Sequence, residues 1–425
     1  MKTTRPRIHL ITLGNELLLG LRENSHLTYL GDQLTRHGLI LNCNTVIEDE
    51  PETILSCFAQ AWESADLVIT TGGLGPTSDD NTREAVAAAL EEPLEYDPAA
   101  EAAILDRFAR INRKMTDRDR KQCFKPRGAT LLPNPHGTAP GIWYEQGGKR
   151  LIMLPGPTHE LRPMLENEVL PRLQDVGWIT GGNAYLQLRV YGLGESLVED
   201  RIQSALAPHP GIGLAFCAHH GLIDVRISRG ETGLDPDALY AVAKQCRELL
   251  GEDFVCCGDS SLAKIVCEQL RSMEKTLAVA ESCTGGLLAN AFTDIPGASK
   301  VFLGGVVCYN NDAKVQMVDV PECILQQHGA VSAETAVAMV TGAAERFGAD
   351  YALSVTGFAG PGGGTIDHPV GTVFLGYHSP CGDWSRRVSF AGERVAVKQR
   401  AVNTALDWMR RKLNRYKVED MLATL

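Results

Sequence analysis

Residues 66–90 read DLVITTGGLGPTSDDNTREAVAAAL, and this stretch decides the fold class of the N-terminal part of the chain. An apolar run typical of a buried strand ends in a glycine turn, two aspartates follow, and a helical pattern comes next. The same alternation fills the preceding residues, with strand patterns at 8–14 and 39–46 and helix patterns at 24–38 and 52–64. Short strands separated by helices indicate βαβ units and a parallel sheet, so we predict an α/β fold.

The pattern of predicted strands and helices changes twice after this block. With 425 residues it is too long for one typical domain. Residues 185–251 combine strand patterns with one helical pattern, which is typical of a small α+β module. A second α/β block then begins with a helical pattern at 261–273 and ends with a long one at 393–416. We therefore predict three domains, at residues 1–170, 171–255 and 256–425, with the middle one connecting two α/β domains.

Composition limits the class of protein and its partners. The content of 44% hydrophobic and 22% charged residues is ordinary for a globular protein, and the formal net charge of −11 indicates no general affinity for nucleic acid or acidic membranes. The first residues contain no long apolar segment, and the chain has no run long enough to span a membrane. The 12 cysteines lack the paired spacing of zinc sites. These features predict a soluble cytoplasmic protein with thiols as small core residues.

The glycine turn at 72–75 and the aspartates after it form the first candidate site. Glycines let the backbone approach a ligand closely, and free N–H groups at a helix start bind anions. An aspartate beside such a turn suits a divalent metal ion that bridges to phosphate oxygens. The alternative is that Asp79 or Asp80 only caps the following helix.

The second candidate site lies around residues 278–290, AVAESCTGGLLAN. Ser282 follows a predicted strand and precedes Gly285 and Gly286 at a predicted helix start, where backbone amides would stabilise an oxyanion. Serine needs a base, and Lys314 is the best candidate because a desolvated lysine loses its charge readily. The rival nucleophile is Cys283, which strand alternation points away from Ser282. The alternatives are a solvated lysine at the start of a helix and a flexible glycine turn at 360–364.

Several separated N-terminal motifs resemble those of a known family. GNELLLG (14–20), Asp49, GGLGPTSDD (72–80), NPHGTAPG (134–141) and LPGPTHEL (154–161) are similar, in order, to the molybdopterin-binding fold. They resemble most closely the N-terminal domain of the CinA family (competence/damage-inducible protein A). This resemblance implies a metal-dependent ADP-ribose pyrophosphatase that releases AMP and ribose 5-phosphate. It places a divalent metal ion at Asp49 and Asp80, the phosphates at Gly72, Gly73 and Gly75, and Glu160 at the rim. The departures are Asn15, Ser25 and His26, which lie near this pocket.

The C-terminal motifs resemble the CinA C-terminal domain, a family of nicotinamide-nucleotide amidases. They include AESCTGGLLA, GGVVCYNNDAK (304–314), TGFAGPGGGT, PVGTV and FAGER (390–394). The resemblance implies a Ser/Lys hydrolase that converts nicotinamide mononucleotide to nicotinate mononucleotide and ammonia without a cofactor. Ser282 would be the nucleophile and Lys314 the base, with Tyr309 and Thr356 in the pocket. Arg394 would neutralise the nucleotide phosphate or polarise the amide. The substrate-binding residues would be Glu281, which is also a candidate to orient the dyad, and Thr284, Gly285, Gly286, Gly360, Gly363 and Gly364. The departures are Phe358 and Gly362.

Two further functions stay open at this stage. The first is that the N-terminal half is a non-catalytic pterin- or nucleotide-binding module. The second is a DNA-uptake accessory protein, suggested by the basic stretch 107–127 (RFARINRKMTDRDRKQCFKPR), although a solvated helical face explains that stretch better. For the middle segment, which shows no chemistry, we predict a connector that sets the geometry of a homodimer.

Overall fold

The computed structural model describes residues 6–179, 184–229 and 234–423. The chain forms two compact units, residues 1–185 and residues 186–425, which are described separately below. The described part of the predicted connector from residue 186 onward lies in the second unit. In the described residues, no helix combines the length and the apolar character that crossing a membrane requires.

The first unit (unit 1) alternates strands and helices up to residue 89, as the sequence predicts. Its strands are β1 (Ile8–Leu13), β2 (Leu41–Ile47), β3 (Leu67–Thr71), β4 (Leu94–Tyr96), β5 (Phe124–Pro126), β6 (Thr130–Leu132), β7 (Gly141–Gln146) and β8 (Lys149–Leu154). Its helices are α1 (Asn15–Leu18), α2 (Ser25–Arg36), α3 (Pro51–Ser64), α4 (Thr82–Ala89), α5 (Pro98–Arg110), α6 (Thr158–Met164) and α7 (Leu170–Asp175). A 3₁₀ turn spans Asp119–Cys123, and a π-helical turn, Leu165–Val169, joins α6 to α7.

One six-stranded sheet, in the order β2-β1-β3-β8-β7-β6, organises unit 1. The first four strands in this order are parallel, which confirms the predicted α/β class. The hairpin of β7 and β8 was not predicted, and it extends the sheet with antiparallel strands. Since the parallel strands end at one edge of the sheet, the segments that follow them, beginning at residues 14, 48, 72 and 155, meet there.

The helices that flank this sheet bury one apolar face each. On α2, Leu30 and Leu34 are fully buried, whereas Leu27 is 37% exposed near the helix start. On α3, Ile54 and Phe58 are buried against the other side of the sheet. These two faces pack into separate apolar clusters, so both sides of the sheet are covered, as α/β folds require.

The basic stretch 107–127 is not one helix, which corrects the helical interpretation. Helix α5 ends at Arg110, and Asn112 has a φ of 53°, a left-handed conformation that no helix continues. Several cations of this stretch pair with protein oxygens, namely Arg107 with the Pro135 carbonyl, Arg110 with Asp106, Arg113 with Asp119, Lys125 with Asp97 and Arg127 with Glu95. The side chains of Arg110, Arg113 and Arg127 remain more than half exposed. Charges compensated in this way weaken the nucleic-acid alternative.

The second unit (unit 2) contains two sheets. Its strands are β9 (Tyr185–Tyr191), β10 (Gly213–His219), β11 (Leu222–Ser228), β12 (Phe254–Cys257), β13 (Leu277–Glu281), β14 (Phe302–Val307), β15 (Tyr351–Gly357), β16 (Thr372–Ser379) and β17 (Gly382–Ser389). Its helices are α8 (Glu195–Leu206), α9 (Pro236–Leu250), α10 (Leu262–Ser272), α11 (Leu287–Thr293), α12 (Asn311–Val318), α13 (Glu322–His328), α14 (Ala333–Phe347) and α15 (Arg394–Ala423). Two 3₁₀ turns span Gly251–Asp253 and Ala298–Lys300.

Each sheet of unit 2 corresponds to one predicted module. The four-stranded sheet has the order β10-β11-β9-β12, and α8 and α9 share its apolar cluster, which is an α+β arrangement. The five-stranded sheet has the order β14-β13-β15-β16-β17. Its strand β13 is parallel to both β14 and β15, whereas β16 and β17 are antiparallel additions. This second sheet carries the C-terminal motifs.

Helix α15 is tied to the smaller sheet through Arg410, which is held by a buried ion pair within the helix. The Arg410 guanidinium, 3% exposed, donates to Asp407 at 2.7 Å and to the carbonyls of Phe254 and Glu252 at 2.9 and 2.7 Å. Asp407 is also bound by Arg411 at 2.6 Å. Removing one member of such a buried network leaves its partners unpaired and desolvated.

We expect Arg410→Met to lower the free energy of unfolding of the protein by about 3–5 kcal/mol. The matched change is Arg415→Met, on the same helix, because Arg415 pairs with Glu252 on the surface and is 63% exposed. That substitution should cost less than about 1 kcal/mol. Urea denaturation followed by circular dichroism measures both variants, and equal losses for the two would contradict the buried role of Arg410.

Candidate active site

Three C-terminal motifs meet because the strands that carry them are parallel neighbours. Ser282 directly follows β13, Cys308 directly follows β14, and Thr356 lies at the end of β15. The amide of Ser282 donates to the carbonyl of Val355 at 2.8 Å, which continues the pairing of β13 with β15 by one residue. The candidate site therefore lies at the carboxyl edge of the sheet, where open α/β sheets bind ligands.

Ser282 and Lys314 form a hydrogen-bonded pair in this site. Lys314 lies on the first turn of α12, and its Nζ is 3.2 Å from Ser282 Oγ. The same nitrogen is 3.1 Å from the carbonyl oxygen of Cys308 and 3.4 Å from that of Tyr309. These contacts place an amine and a hydroxyl at the distance that proton transfer requires.

Lys314 is buried without a carboxylate partner among the described residues. Its side chain is 1% exposed, and its neighbours at hydrogen-bond distance are one hydroxyl and two carbonyl oxygens. Burial therefore lowers the pKa of Lys314 below the ordinary value of 10.5. This burial corrects the alternative in which Lys314 is a solvated residue at a helix start.

Glu281 holds the turn that carries Ser282. Its carboxylate is fully buried and accepts hydrogen bonds from the amides of Gly286, Leu288 and Ala289 at 3.0, 3.0 and 2.8 Å. This corrects two expectations. Glu281 faces the start of α11 and not a substrate, and the helix-start amides that were expected to stabilise an oxyanion are already bound. Negative charge at a helix start is favourable, so Glu281 fixes α11 relative to β13.

Cys283 is a packing residue in this structure. Its thiol lies in the apolar cluster that also contains Leu288 and Phe292. Burial raises the pKa of Cys283 to about 12, so the thiolate, which is the nucleophilic form, is disfavoured. The choice of Ser282 over Cys283 therefore agrees with the environment of both side chains.

Arg394 joins the remaining motifs at the mouth of the site. From the first turn of α15, its guanidinium donates to the carbonyl of Gly360 at 2.7 Å and to the Tyr309 hydroxyl at 2.9 Å. Tyr309 is 60% exposed, so its phenol faces solvent beside the dyad. Thr356 is 1% exposed, and its hydroxyl donates to the carbonyl of Ala330 at 2.7 Å, so this hydroxyl is bound to backbone.

The predicted glycines of the site divide into two turns. Gly285 and Gly286 have φ values of 63° and 95°, a left-handed backbone that favours glycine. Gly360, Gly363 and Gly364 belong to the loop between β15 and β16, and a Cβ on Gly364 would lie 2.5 Å from the amide nitrogen of Val370. Thr284 lies in the first turn, and its Oγ1 is buried without a hydrogen-bond partner among the described residues.

One cation of this site was missed by the sequence analysis. Lys398 lies one helical turn after Arg394 on α15, and a Cβ on Gly285 would be 3.8 Å from its Nζ. No motif marks Lys398, because it lies inside a long helix among other basic residues. Only the packing of α15 against the turn brings it to the site.

The N-terminal candidate residues also gather at a carboxyl edge, that of the parallel strands in unit 1. Asp49 follows β2, and its carboxylate accepts from the amide of Asn15 at 3.3 Å. Burial raises the pKa of Asp49, and the charges of Glu16, Asp79 and Asp80 raise it further. Four carboxylates therefore influence one another here, of which Glu16 was not predicted. Asn15 contributes its backbone to this group.

Asp80 closes the glycine turn instead of capping α4. Its Oδ2 accepts from the amide of Thr77 at 2.9 Å and from the Thr77 hydroxyl. The residue at the cap position of α4 is Asn81, so the alternative in which Asp79 or Asp80 caps this helix is wrong. A Cβ on Gly75 would lie 2.5 Å from Asp80 Oδ2, which explains the glycine there.

The remaining glycines of the turn are required by close packing. Gly72 and Gly73 have φ values of 102° and 67°, and a Cβ on Gly73 would lie 1.9 Å from the hydroxyl oxygen of Thr82. The hydroxyl of Thr82 donates to the carbonyl of Gly72 at 3.1 Å. This turn is therefore built from backbone atoms and one helix-start hydroxyl.

Glu160 and His26 lie beside this edge with partners of their own. Glu160 accepts from the Asn134 side-chain amide at 2.7 Å, and a Cβ on Gly137 would lie 1.8 Å from its Oε2, so it holds the 134–137 loop. His26 Nδ1 is 3.0 Å from the Thr71 hydroxyl, and burial lowers the pKa of His26. Ser25 is the first residue of α2, and the side chain of Asn24 caps this helix.

The donor set at this edge suits a metal ion only in part. Among the described residues, no three histidine, cysteine, aspartate or glutamate side chains are close enough to hold a metal ion. Asp49 and Asp80 offer the hard oxygen ligands that Mg²⁺ and Mn²⁺ prefer. Mg²⁺ commonly binds through one or two carboxylates together with substrate phosphates, and the residues present fit that mode.

Two family models match separate parts of the chain. Residues 9–175 match the family described as "Probable molybdopterin binding domain", and residues 259–413 match the "CinA C-terminal domain". A CinA-like protein from Kosmotoga olearia is 40% identical over 412 residues, which cover 96% of this chain and 99% of the relative. A putative competence-damage inducible protein from Moorella thermoacetica is 41% identical over 406 residues, covering 95% and 98%.

Solved structures match part of the chain. The crystal structure of the competence/damage inducible protein CihA from Agrobacterium tumefaciens is 39% identical, with a TM-score of 0.35, and it covers 36% of this chain and 93% of that one. The two full-length relatives together with the matches to both domain families, in the order that the motifs predict, establish the family. The chain belongs to the CinA family and consists of a molybdopterin-binding-type N-terminal domain and a CinA C-terminal domain.

Proposed function

We propose that the C-terminal site is a Ser/Lys amidase that hydrolyses nicotinamide mononucleotide to nicotinate mononucleotide and ammonia. The observation that carries this proposal is the buried, carboxylate-free Lys314, whose Nζ is 3.2 Å from Ser282 Oγ. As the neutral amine, this nitrogen has two N–H groups, which match the two carbonyl oxygens of Cys308 and Tyr309. Its lone pair is then available to the proton of the Ser282 hydroxyl.

The reaction proceeds in two steps on these groups. Lys314 accepts the proton of Ser282 as Oγ attacks the carboxamide carbon, and the resulting ammonium stands beside the oxyanion that forms. Lys314 then returns the proton to the nitrogen of the leaving ammonia, and the C–N bond breaks to leave an acyl-enzyme. Water, deprotonated by the same lysine, hydrolyses the ester and regenerates Ser282.

The experiment that tests this proposal measures ammonia released by the purified full-length protein. Nicotinamide mononucleotide is the substrate, and free nicotinamide is the comparison, because it contains the same carboxamide without the nucleotide. We expect stoichiometric ammonia and nicotinate mononucleotide from the first compound. Absence of ammonia release from the nucleotide would exclude the amidase.

We propose a second activity, metal-dependent ADP-ribose pyrophosphatase, for the N-terminal edge. The observation that favours it is the group of mutually repelling carboxylates around Asp49, next to a glycine turn with left-handed backbone. A divalent ion held by Asp49 and Asp80 would supply positive charge to the pyrophosphate and an activated water. Asp49 and Asp80 would place it, and Gly72 and Gly73 would leave space for the phosphates.

Asp49→Asn tests the metal-binding role of Asp49 through the melting temperature of the protein, which can be measured without substrate turnover. The pKa of Asp49 is raised in the folded state, so its ionised form destabilises the fold at pH values above that pKa. We therefore expect the amide variant to melt at a higher temperature at pH 7 without metal. With Mn²⁺ and ADP-ribose, the wild-type protein should gain thermal stability and the variant should not.

Differential scanning fluorimetry measures these shifts, and release of AMP measures the activity. Glu52→Gln, on the first turn of α3, is the control, because this carboxylate is exposed and outside the group around Asp49. Equal stabilisation of the wild-type protein and Asp49→Asn by Mn²⁺ with ADP-ribose would contradict the metal role of Asp49.

A further inference from the structure

We propose that Lys398 binds the phosphate of the mononucleotide substrate and thereby selects nucleotides over nucleosides. This inference rests on the proposed amidase function, and it adds a residue that no motif of the C-terminal domain contains. It starts from the position of Lys398 Nζ, which is 3.8 Å from the place where a Cβ of Gly285 would be. The turn that presents Ser282 therefore passes directly beside this ammonium group.

Lys398 lacks a compensating charge. Among the described residues, no carboxylate lies within 4.0 Å of its Nζ, and it takes part in no hydrogen bond with protein. This contrasts with lysines such as Lys275, which pairs with Asp350 at 2.9 Å. An ammonium group without a partner beside a candidate active site provides charge for an anionic ligand.

Arg394 adds a second uncompensated charge on the same helix. Residues four apart on a helix lie on one face, so Arg394 and Lys398 point the same way from α15. The protein partners of the Arg394 guanidinium are a carbonyl and a phenol, both neutral. Arg394 also acts electrostatically on the serine turn. Its charge favours a lower pKa for Cys283, although the effect of burial, which raises that pKa, is larger. Two positive charges thus lie on one face of α15, and Lys398 is beside the turn that follows Ser282.

The glycine turn leaves space for the ligand between these groups. Gly285 and Gly286 have no Cβ, and a Cβ on Gly286 would contact only Val307, at 3.7 Å. The amides of Gly285 and Gly286 are already bonded, to the Ser282 carbonyl and to Glu281, so neither is free to bind a phosphate. A side-chain cation beside these glycines would supply the attraction instead, and Lys398 is the one next to Gly285.

The test compares two substrates with the same carboxamide and ribose, nicotinamide mononucleotide and nicotinamide riboside. A charge-assisted contact to phosphate contributes roughly a 10- to 100-fold effect on binding. We expect Lys398→Gln to raise KM for the mononucleotide by this factor with little change in kcat. The values of kcat/KM for the riboside should stay as in the wild-type protein, and Lys398→Arg should retain selectivity for the mononucleotide.

The control is Lys412→Gln, on the same helix roughly 21 Å along its axis at 1.5 Å per residue. Lys412 lies over the Trp384 ring and away from the turn, so selectivity should be unchanged. An unchanged ratio of the two kcat/KM values in Lys398→Gln, or an equal loss for both substrates, overturns the phosphate role.

A binding measurement separates failure of this inference from failure of the amidase proposal. Isothermal titration calorimetry with nicotinate mononucleotide requires no turnover. If the wild-type protein releases no ammonia but binds this nucleotide at least 10-fold more tightly than Lys398→Gln does, the amidase is excluded and the phosphate subsite stands. If both proteins bind it equally, or neither binds it, the subsite is excluded whatever the activity.

Discussion

Ser282→Ala is expected to lower kcat for nicotinamide mononucleotide by about four to six orders of magnitude. The change removes the only protein atom that the proposed mechanism joins to the substrate carbon, and Lys314 then has no proton to accept from residue 282. Binding of the nucleotide should persist within about 3-fold, because the proposed phosphate contact of Lys398 does not use the Ser282 hydroxyl. Ammonia release measures kcat, and calorimetry with the unreacted nucleotide measures binding.

Cys283→Ala is the matched control for this experiment. It removes the neighbouring nucleophile from a buried apolar site, where the loss of one sulfur atom costs about 1 kcal/mol of stability. We expect its kcat to remain within about 3-fold of the wild-type value. Full activity in Ser282→Ala, or loss of activity in Cys283→Ala with a native melting profile, would assign the chemistry to another residue.

The positions of the candidate sites follow from the sequence because they depend on local patterns. Apolar strands that end in glycines or small polar residues are visible at 8–14, 66–75 and 276–282, and neighbouring parallel strands bring such ends together. The structure confirms this α/β arrangement, with β13 flanked by β14 and β15. Lys314 was recognised because it lies in the motif that follows a predicted strand, where a desolvated lysine can serve as a base.

The roles of individual side chains do not follow from local patterns. Glu281 stands beside Ser282 in the sequence, but its carboxylate is directed to the start of α11 by a turn of two left-handed glycines. Lys398 reaches the site from the second turn of α15, more than a hundred residues after Gly285 in the sequence. The hairpin of β7 and β8 joins the sheet of unit 1 through pairings that only tertiary structure reveals.

Charge patterning is equally limited as a guide to function. The stretch 107–127 contains many cations, which suggested a solvated helical face or a nucleic-acid surface. In the structure several of these cations pair with protein oxygens, for example Lys125 with Asp97 and Arg107 with the Pro135 carbonyl. A cation is available to a ligand only where it is not already paired within the protein. In the described part of the chain Lys398 has no such partner, so it is more informative about ligand binding than the paired cations of the stretch 107–127.

Lys314→Met is expected to lower kcat/KM for nicotinamide mononucleotide by about 10²- to 10⁴-fold, the usual contribution of a general base. Lys314→Arg should be equally impaired, because a guanidinium keeps its charge at every accessible pH and cannot accept the proton of Ser282. Lys300→Met is the control, since Lys300 is exposed in the same unit, and its activity should be unchanged. Activity of Lys314→Arg close to the wild-type value would exclude a base role.

The pH dependence of the wild-type protein provides a second, independent measurement of the same lysine. Burial lowers the pKa of Lys314, and only the neutral amine is a base, so kcat/KM should rise with pH through an apparent pKa below 10.5.

The stability of the folded protein should also increase with pH. Between the folded and unfolded pKa values the unfolded chain binds one proton more than the folded protein, so the contribution of Lys314 to the free energy of unfolding increases with pH. Lys314→Met should lose this contribution, and urea denaturation of both proteins between pH 7 and pH 10 would detect the difference. A wild-type activity profile that is flat across this range, together with identical stability slopes for the two proteins, would mean that Lys314 does not titrate between pH 7 and pH 10 and would contradict the expected rise in activity.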